Sequence, residues 1–191
     1  MIGEYLDALE SRPSELPTIQ TSLSNSLGYD DEHGGMKNPV LKLELLKRIN
    51  KDPSNTVLVE FLIFIQKQQK DFDGAFVQAR ALDKRLREEG SRIYDLARLC
   101  VENGQWETAS RCYDYLLDKG KGSTYYDVAT IEGLNVEYLA LTQKAQPPLP
   151  ELHARETKLQ QAYDKYENLS PSYQLLKSLV NLQAFYLDKA T

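Results

Sequence analysis

Apolar residues recur along this chain three or four positions apart, and the pattern predicts one amphipathic helix after another. Ile2, Tyr5, Leu6 and Leu9 mark one face of a first helix, closed by Arg12 and Pro13. A second starts at Ser14, a suitable cap, and carries Leu16, Ile19, Leu23 and Leu27 as far as Gly28; its Pro17 fits only in the first turn. Residues 29–37, with Asp-Asp-Glu-His-Gly-Gly in their middle, read as a loop. Val40, Leu41, Leu45 and Ile49 resume the helical stripe until Asp-Pro-Ser-Asn at 52–55 ends it.

From Thr56 the pattern repeats. Thr56–Gln69 and Gly74–Glu89 predict a helical hairpin turned by Lys-Asp-Phe-Asp at 70–73. Ser91, read as a cap, opens a helix to Glu102 that is turned by Asn103 and Gly104; Trp106–Lys119 returns and stops at Gly120 and Gly122. Ala75 and Ala109 lie 34 residues apart, and the same offset relates Val59 to Ile93, Leu62 to Leu96, Phe72 to Trp106 and Leu82 to Leu116. Both alanines fall where two antiparallel helices approach most closely, so a larger side chain would push the axes apart. After Ser123 the period slips. Tyr125–Thr142 predicts a longer helix, and residues 145–150, carrying Pro-Pro-Leu-Pro, predict a stiff extended connection. Leu152–Glu167 is helical again, and Ser170 caps a final helix from Pro171 that carries Tyr173, Leu176, Leu179, Val180 and Tyr186. Leu159, Tyr163 and Pro171 stand 118 positions after Leu41, Leu45 and Pro53, which is three periods plus 16; the excess matches the longer helix and the proline loop.

A period of 34 with a helix-turn-helix in each period resembles the tetratricopeptide repeat family. The resemblance implies an all-α fold of about ten helices, with antiparallel hairpins stacked in a right-handed α-α superhelix. It implies one domain over 1–191: a divergent helical start at 1–37, the clearest repeats at 38–122, and a longer repeat with a proline-rich loop and a terminal helix at 123–191. It leaves open that the chain is a fragment of a longer protein. By the same resemblance, the first helix of each hairpin lines a concave groove that holds a protein or peptide. Val59, Leu62, Ile63 and Gln66 take the packing slots of one hairpin, and Ile93, Leu96, Ala97 and Cys100 those of the next. The groove candidates among the remaining positions are Glu60, Phe64, Tyr94, Arg98 and Glu102; Phe61 reads rather as core, and Phe64 stands between the two. The family's clamp for a carboxylate-ended peptide uses several Lys, Arg and Asn side chains, and only Arg98 could serve so here. The implied function is a noncatalytic scaffold or adaptor. The alternative is a structural module that stacks or self-associates through its terminal helices.

Composition narrows the partners. The net charge is −5 with a pI near 5.2 and no concentrated basic stretch, which argues against nucleic acid. The most apolar run, Val57–Ile65, is interrupted by Glu60 and far too short to span a bilayer. The opening residues include acidic Glu4 and Asp7 where a secretory signal would be basic, so the chain as given is not expected to export itself; with a native Met1 it would be cytoplasmic, and with an excised fragment an exported compartment stays open. Cys100 and Cys112, on facing helices, are expected to be buried thiols. No catalytic, cofactor or metal-binding constellation emerges. His33 follows three acidic residues in a glycine loop, where neighbours rarely converge on one ion, and His153 with Glu156 makes two donors without a third.

Overall fold

The structure, a computed structural model, describes residues 2–22 and 37–187. Its regular elements among these residues are all helical: α1 (Ile2–Ser11), a 3-10 turn (Pro13–Glu15), α2 (described over 16–22), α3 (Lys37–Lys51), α4 (Thr56–Gln68), α5 (Phe72–Leu86), α6 (Ser91–Glu102), α7 (Trp106–Asp118), α8 (Tyr126–Thr142), α9 (Leu149–Tyr166) and α10 (Ser172–Phe185). Residues 29–36 of the loop predicted over 29–37, His33 among them, and Leu23, Leu27 and Gly28 of the second predicted helix lie outside the described residues, while Lys37 already belongs to α3. The chain divides into two compact units, Met1–Leu86 and Arg87–Thr191.

In the first unit, Leu6 and Leu9 of α1, Ile19 of α2, Leu41 and Leu45 of α3, and Leu58, Phe61, Leu62 and Ile65 of α4 close into one core. Burying each of these larger side chains contributes about 1.5–3 kcal/mol. Asn55 starts α4 by accepting the Leu58 N–H on its side-chain oxygen, 3.3 Å away. Because α4 packs on α1 and α3 as well as on α5, its buried residues spread beyond a single stripe. Arg48 ties α3 to α1: its Nη1 donates to Asp7 at 2.7 Å and to Glu10 at 3.1 Å. Val40, which opens the sequence stripe, is instead exposed, and Leu41 takes the inward position.

The second unit is built on α8. That helix packs on α7, α9 and α10, and α6 pairs with α7. Its inward residues Ile131, Tyr138 and Leu141 share a core with Leu152, Leu159 and Tyr166 of α9 and Leu175, Leu179 and Leu182 of α10. Gly133 lets α8 approach α7 closely, since a Cβ there would stand 3.3 Å from the Tyr113 Cβ.

The hairpin turns at 66–75 and 100–109 have the same backbone. Asp71 N–H donates to the Gln66 carbonyl at 2.8 Å and Gln105 N–H to the Cys100 carbonyl at 2.8 Å; Ala75 N–H reaches Asp71 and Ala109 N–H reaches Gln105, each at 3.0 Å. Lys70 and Gly104, again 34 apart, both hold a left-handed backbone with φ of 56° and 69°. Ala75 and Ala109 are fully buried, as are or nearly are all eight predicted packing positions from Val59 to Cys100.

Three local expectations are corrected. The connection does not stay extended to Pro150: Pro148 is extended, but α9 begins at Leu149 and takes Pro150 into its first turn, where a missing N–H costs nothing. Ser91 and Ser170 are not caps, because Gly90 and Pro171 hold the cap positions without side-chain bonds. Gly90 is required there by its φ of 96° and by Leu116, whose Cδ2 would lie 2.4 Å from an added Cβ.

Candidate functional site

The α6 helix buries Ile93, Leu96, Ala97 and Cys100, which leaves Tyr94, Arg98 and Glu102 on successive turns of another face. Tyr94 is half-buried, with its ring centroid 5.0 Å from that of Tyr125 and its hydroxyl donating to Glu132 Oε1 at 3.0 Å. The second oxygen of Glu132 accepts from the Tyr113 hydroxyl at 2.8 Å. Two phenols, from α6 and α7, therefore hold one carboxylate of α8.

The electrostatics follow from this arrangement. Burial first, and the Glu132 charge and hydrogen bond next, push the Tyr94 phenol up to about 12. The same causes, with deeper burial, push Tyr113 up further. Both phenols thus remain neutral donors across the physiological range. Glu132, with a donor on each oxygen, serves as a fixed acceptor.

Beside this trio lies a cleft of about 180 Å³ lined by Arg98, Glu102, Tyr113, Glu132, Asn135 and Gln174, among others. Arg98 and Glu102 are exposed at its edge. Asn135 is fixed by Ser178, whose hydroxyl donates to its Oδ1 at 2.7 Å. The cleft is small beside ordinary small-molecule sites, which run to about 300–1,000 Å³. It offers an exposed guanidinium, two carboxylates and two amides, a set suited to hydrogen bonding with polypeptide.

Of the predicted groove residues, Tyr94, Arg98 and Glu102 thus gather on one face of the second unit. Glu60 and Phe64 belong to α4 in the first unit, where both are half-buried. Phe64 lies against the core of that unit with its ring stacked on fully buried Phe61, centroids 6.2 Å apart. The residues that sequence reasoning missed are Glu132, Asn135 and Gln174. A signal existed for Glu132: it is an acidic residue among apolar and small ones at Ile131, Gly133 and Leu134.

The other sequence candidates have structural partners. His153 Nδ1 stands 3.6 Å from Glu156 Oε2, and Glu156 also accepts from Gln183 at 2.9 Å, joining α9 to α10. Cys100 and Cys112 are buried thiols not joined in a disulfide. Among the described residues no group of three His, Cys, Asp or Glu is placed to hold a metal ion, and no helix is long and apolar enough to cross a membrane. Comparisons with protein-family models, with curated proteins and with solved structures return no match.

Proposed function

We propose that this chain is a noncatalytic adaptor that holds an extended protein segment against the α6 face. The observation that carries the reading is the cleft beside α6, where exposed Arg98 and Glu102 flank a Glu132 already fixed by Tyr94 and Tyr113. Donors and acceptors set in place before a ligand arrives lose little conformational freedom on binding. Arg and Tyr are also the residue types that most often dominate interface energetics.

The proposal includes a tetratricopeptide-like organisation, with hairpins stacked in a right-handed superhelix. The matched turns 34 residues apart and the buried Ala75 and Ala109 support that reading. Solution scattering tests it: an elongated, curved particle is expected, and a spherical one would rule the stacking out.

The binding site is tested by selecting displayed peptides on the immobilised chain and measuring their affinity for an Arg98→Ala, Glu102→Ala variant. Losing a central Arg contact predicts a drop of about tenfold or more. Unchanged affinity in a variant with the wild-type circular dichroism spectrum removes this face from consideration.

A second reading has its own observation. On α10, Tyr173, Leu176 and Val180 are exposed at helical spacing, with Phe185 exposed at the helix end. Self-association through this stripe is the rival function. Sedimentation should then show a concentration-dependent dimer that Val180→Asp abolishes, while a monomer at all concentrations removes the rival.

A further inference from the structure

A cavity lies between α7 and α9 with α8 as its floor, and of its lining residues only Val136 also lines the α6 cleft. It measures about 670 Å³, within the range of small-molecule sites. Its apolar surface comes from Trp106, Val136, Leu141 and the small side chains of Ala140 and Ala154, which keep it open. Two of its lining residues, Lys144 and Glu151, meet across the connection to α9 at 2.8 Å.

Charged groups line it: Lys144 is paired with Glu151, and Arg155 Nη1 with Glu137. Basic Arg111 and Lys158 and acidic Glu107 complete the charged lining. Two residues that line the cavity also carry buried N–H donors without an acceptor: Trp106 Nε1 and Arg155 Nε. Burial lowers the pKa of Arg155, as expected for a guanidinium that is short of solvent. Glu137 occupies one corner of that guanidinium. The Nε edge is the face on which a carboxylate binds with two parallel hydrogen bonds.

We infer that this cavity is a binding site for a small organic acid with an apolar body, the carboxylate taken by the Nε edge of Arg155 and the body packed against Trp106. Binding therefore requires each side chain to turn so that its occluded donor faces the ligand. The acid contributes the acceptor that both donors lack, and the apolar body covers the alanine-lined floor. This site is independent of the α6 face, so either assignment stands if the other fails.

Trp106 is the only tryptophan in the chain, so its fluorescence reports on the cavity without a label. The test titrates the intact protein with phenylacetate, phenylacetamide and acetate. Phenylacetate is expected to give a saturable change, with the amide and acetate each weaker by about tenfold or more, the scale of a charged bidentate contact or of a lost aromatic body. Arg155→Met should erase the preference for acid over amide, and Arg98→Ala should leave it intact. If Arg155→Met fails to fold, Arg155→Lys serves, keeping the charge and losing the fork, and weakened phenylacetate binding is expected. No saturable change with phenylacetate, an equal response to acid and amide, or full phenylacetate binding by a folded Arg155 variant overturns the inference. A peptide with a free C-terminal phenylalanine binding more tightly than phenylacetate overturns the assignment to a small molecule.

Discussion

The turn at 66–75 and the turn at 100–109 share four backbone hydrogen bonds, yet they are stabilised by different means. In the first, Lys70 sits in the left-handed region, a strain of roughly 1–2 kcal/mol for a residue with a Cβ. A polar network offsets it: Asp71 accepts the Gly74 N–H at 3.0 Å, Lys42 Nζ at 2.6 Å and Gln66 Nε2 at 3.3 Å. In the second turn Gly104 takes the same conformation without strain, Gln105 makes no side-chain cap, and apolar Cys100 stands where Gln66 does. The shared feature is the close helix crossing at Ala75 and Ala109, which the side-chain chemistry of the turn only supports. The hairpin geometry is therefore set by packing, and the turn residues are interchangeable solutions to one backbone problem.

That view can be broken by attacking the crossings. Ala75→Leu and Ala109→Leu should each destabilise the protein by about 1–3 kcal/mol, since both sites are fully buried at a helix crossing. Thermal or denaturant unfolding would reveal it, and a neutral result at either position would show that the crossing is not tight. Exchanging the turns is the next largest perturbation. Gly104→Lys places a side chain in the left-handed region without the Asp71 network and should cost about 1–2 kcal/mol. Adding the missing cap with Gln105→Asp should return about 1 kcal/mol, provided its carboxylate reaches the Thr108 N–H. Unfolding midpoints of the single and double variants would show whether the two effects add.

The smallest expected effect is one of pH. Burial alone would push Asp71 up, but the Lys42 hydrogen bond, the Gly74 N–H, the Lys42 charge and Gln66 outweigh it and hold it below its ordinary value of 3.8. A depressed carboxyl stabilises the fold fully above its unfolded pKa and loses that contribution as pH falls through the folded value. Wild type should therefore lose its advantage over Asp71→Asn as pH falls below the ordinary value of 3.8. A constant difference in melting temperature across that value would mean that the network does not depend on the charge of Asp71.

What was legible in the sequence is what is local. The helices from Thr56 to Asp118 follow from apolar spacing and turn residues, and Ala75 and Ala109 are small for a reason that spacing reveals. The start of α9 was misplaced because Pro-Pro-Leu-Pro reads as a breaker throughout, although a proline in the first turn lacks only an N–H that has no helical partner anyway. The candidate site was half legible. Tyr94, Arg98 and Glu102 are visible as one face of one helix, whereas the Glu132 contacts join residues 38 and 19 positions apart through a helix whose register had slipped from the period. Phe64 could not be assigned from its own helix, since its surroundings depend on α1 and α3 covering α4.

α8 holds one more consequence. It buries Ala129, Ile131, Gly133, Val136, Tyr138 and Leu141 around its circumference, against neighbours before and after it in the chain. No pair of helices from this part of the protein can be peeled away without exposing part of that circumference to water. The second unit should consequently melt cooperatively and not hairpin by hairpin, with the backbone amides of α8 the last to exchange with deuterated solvent.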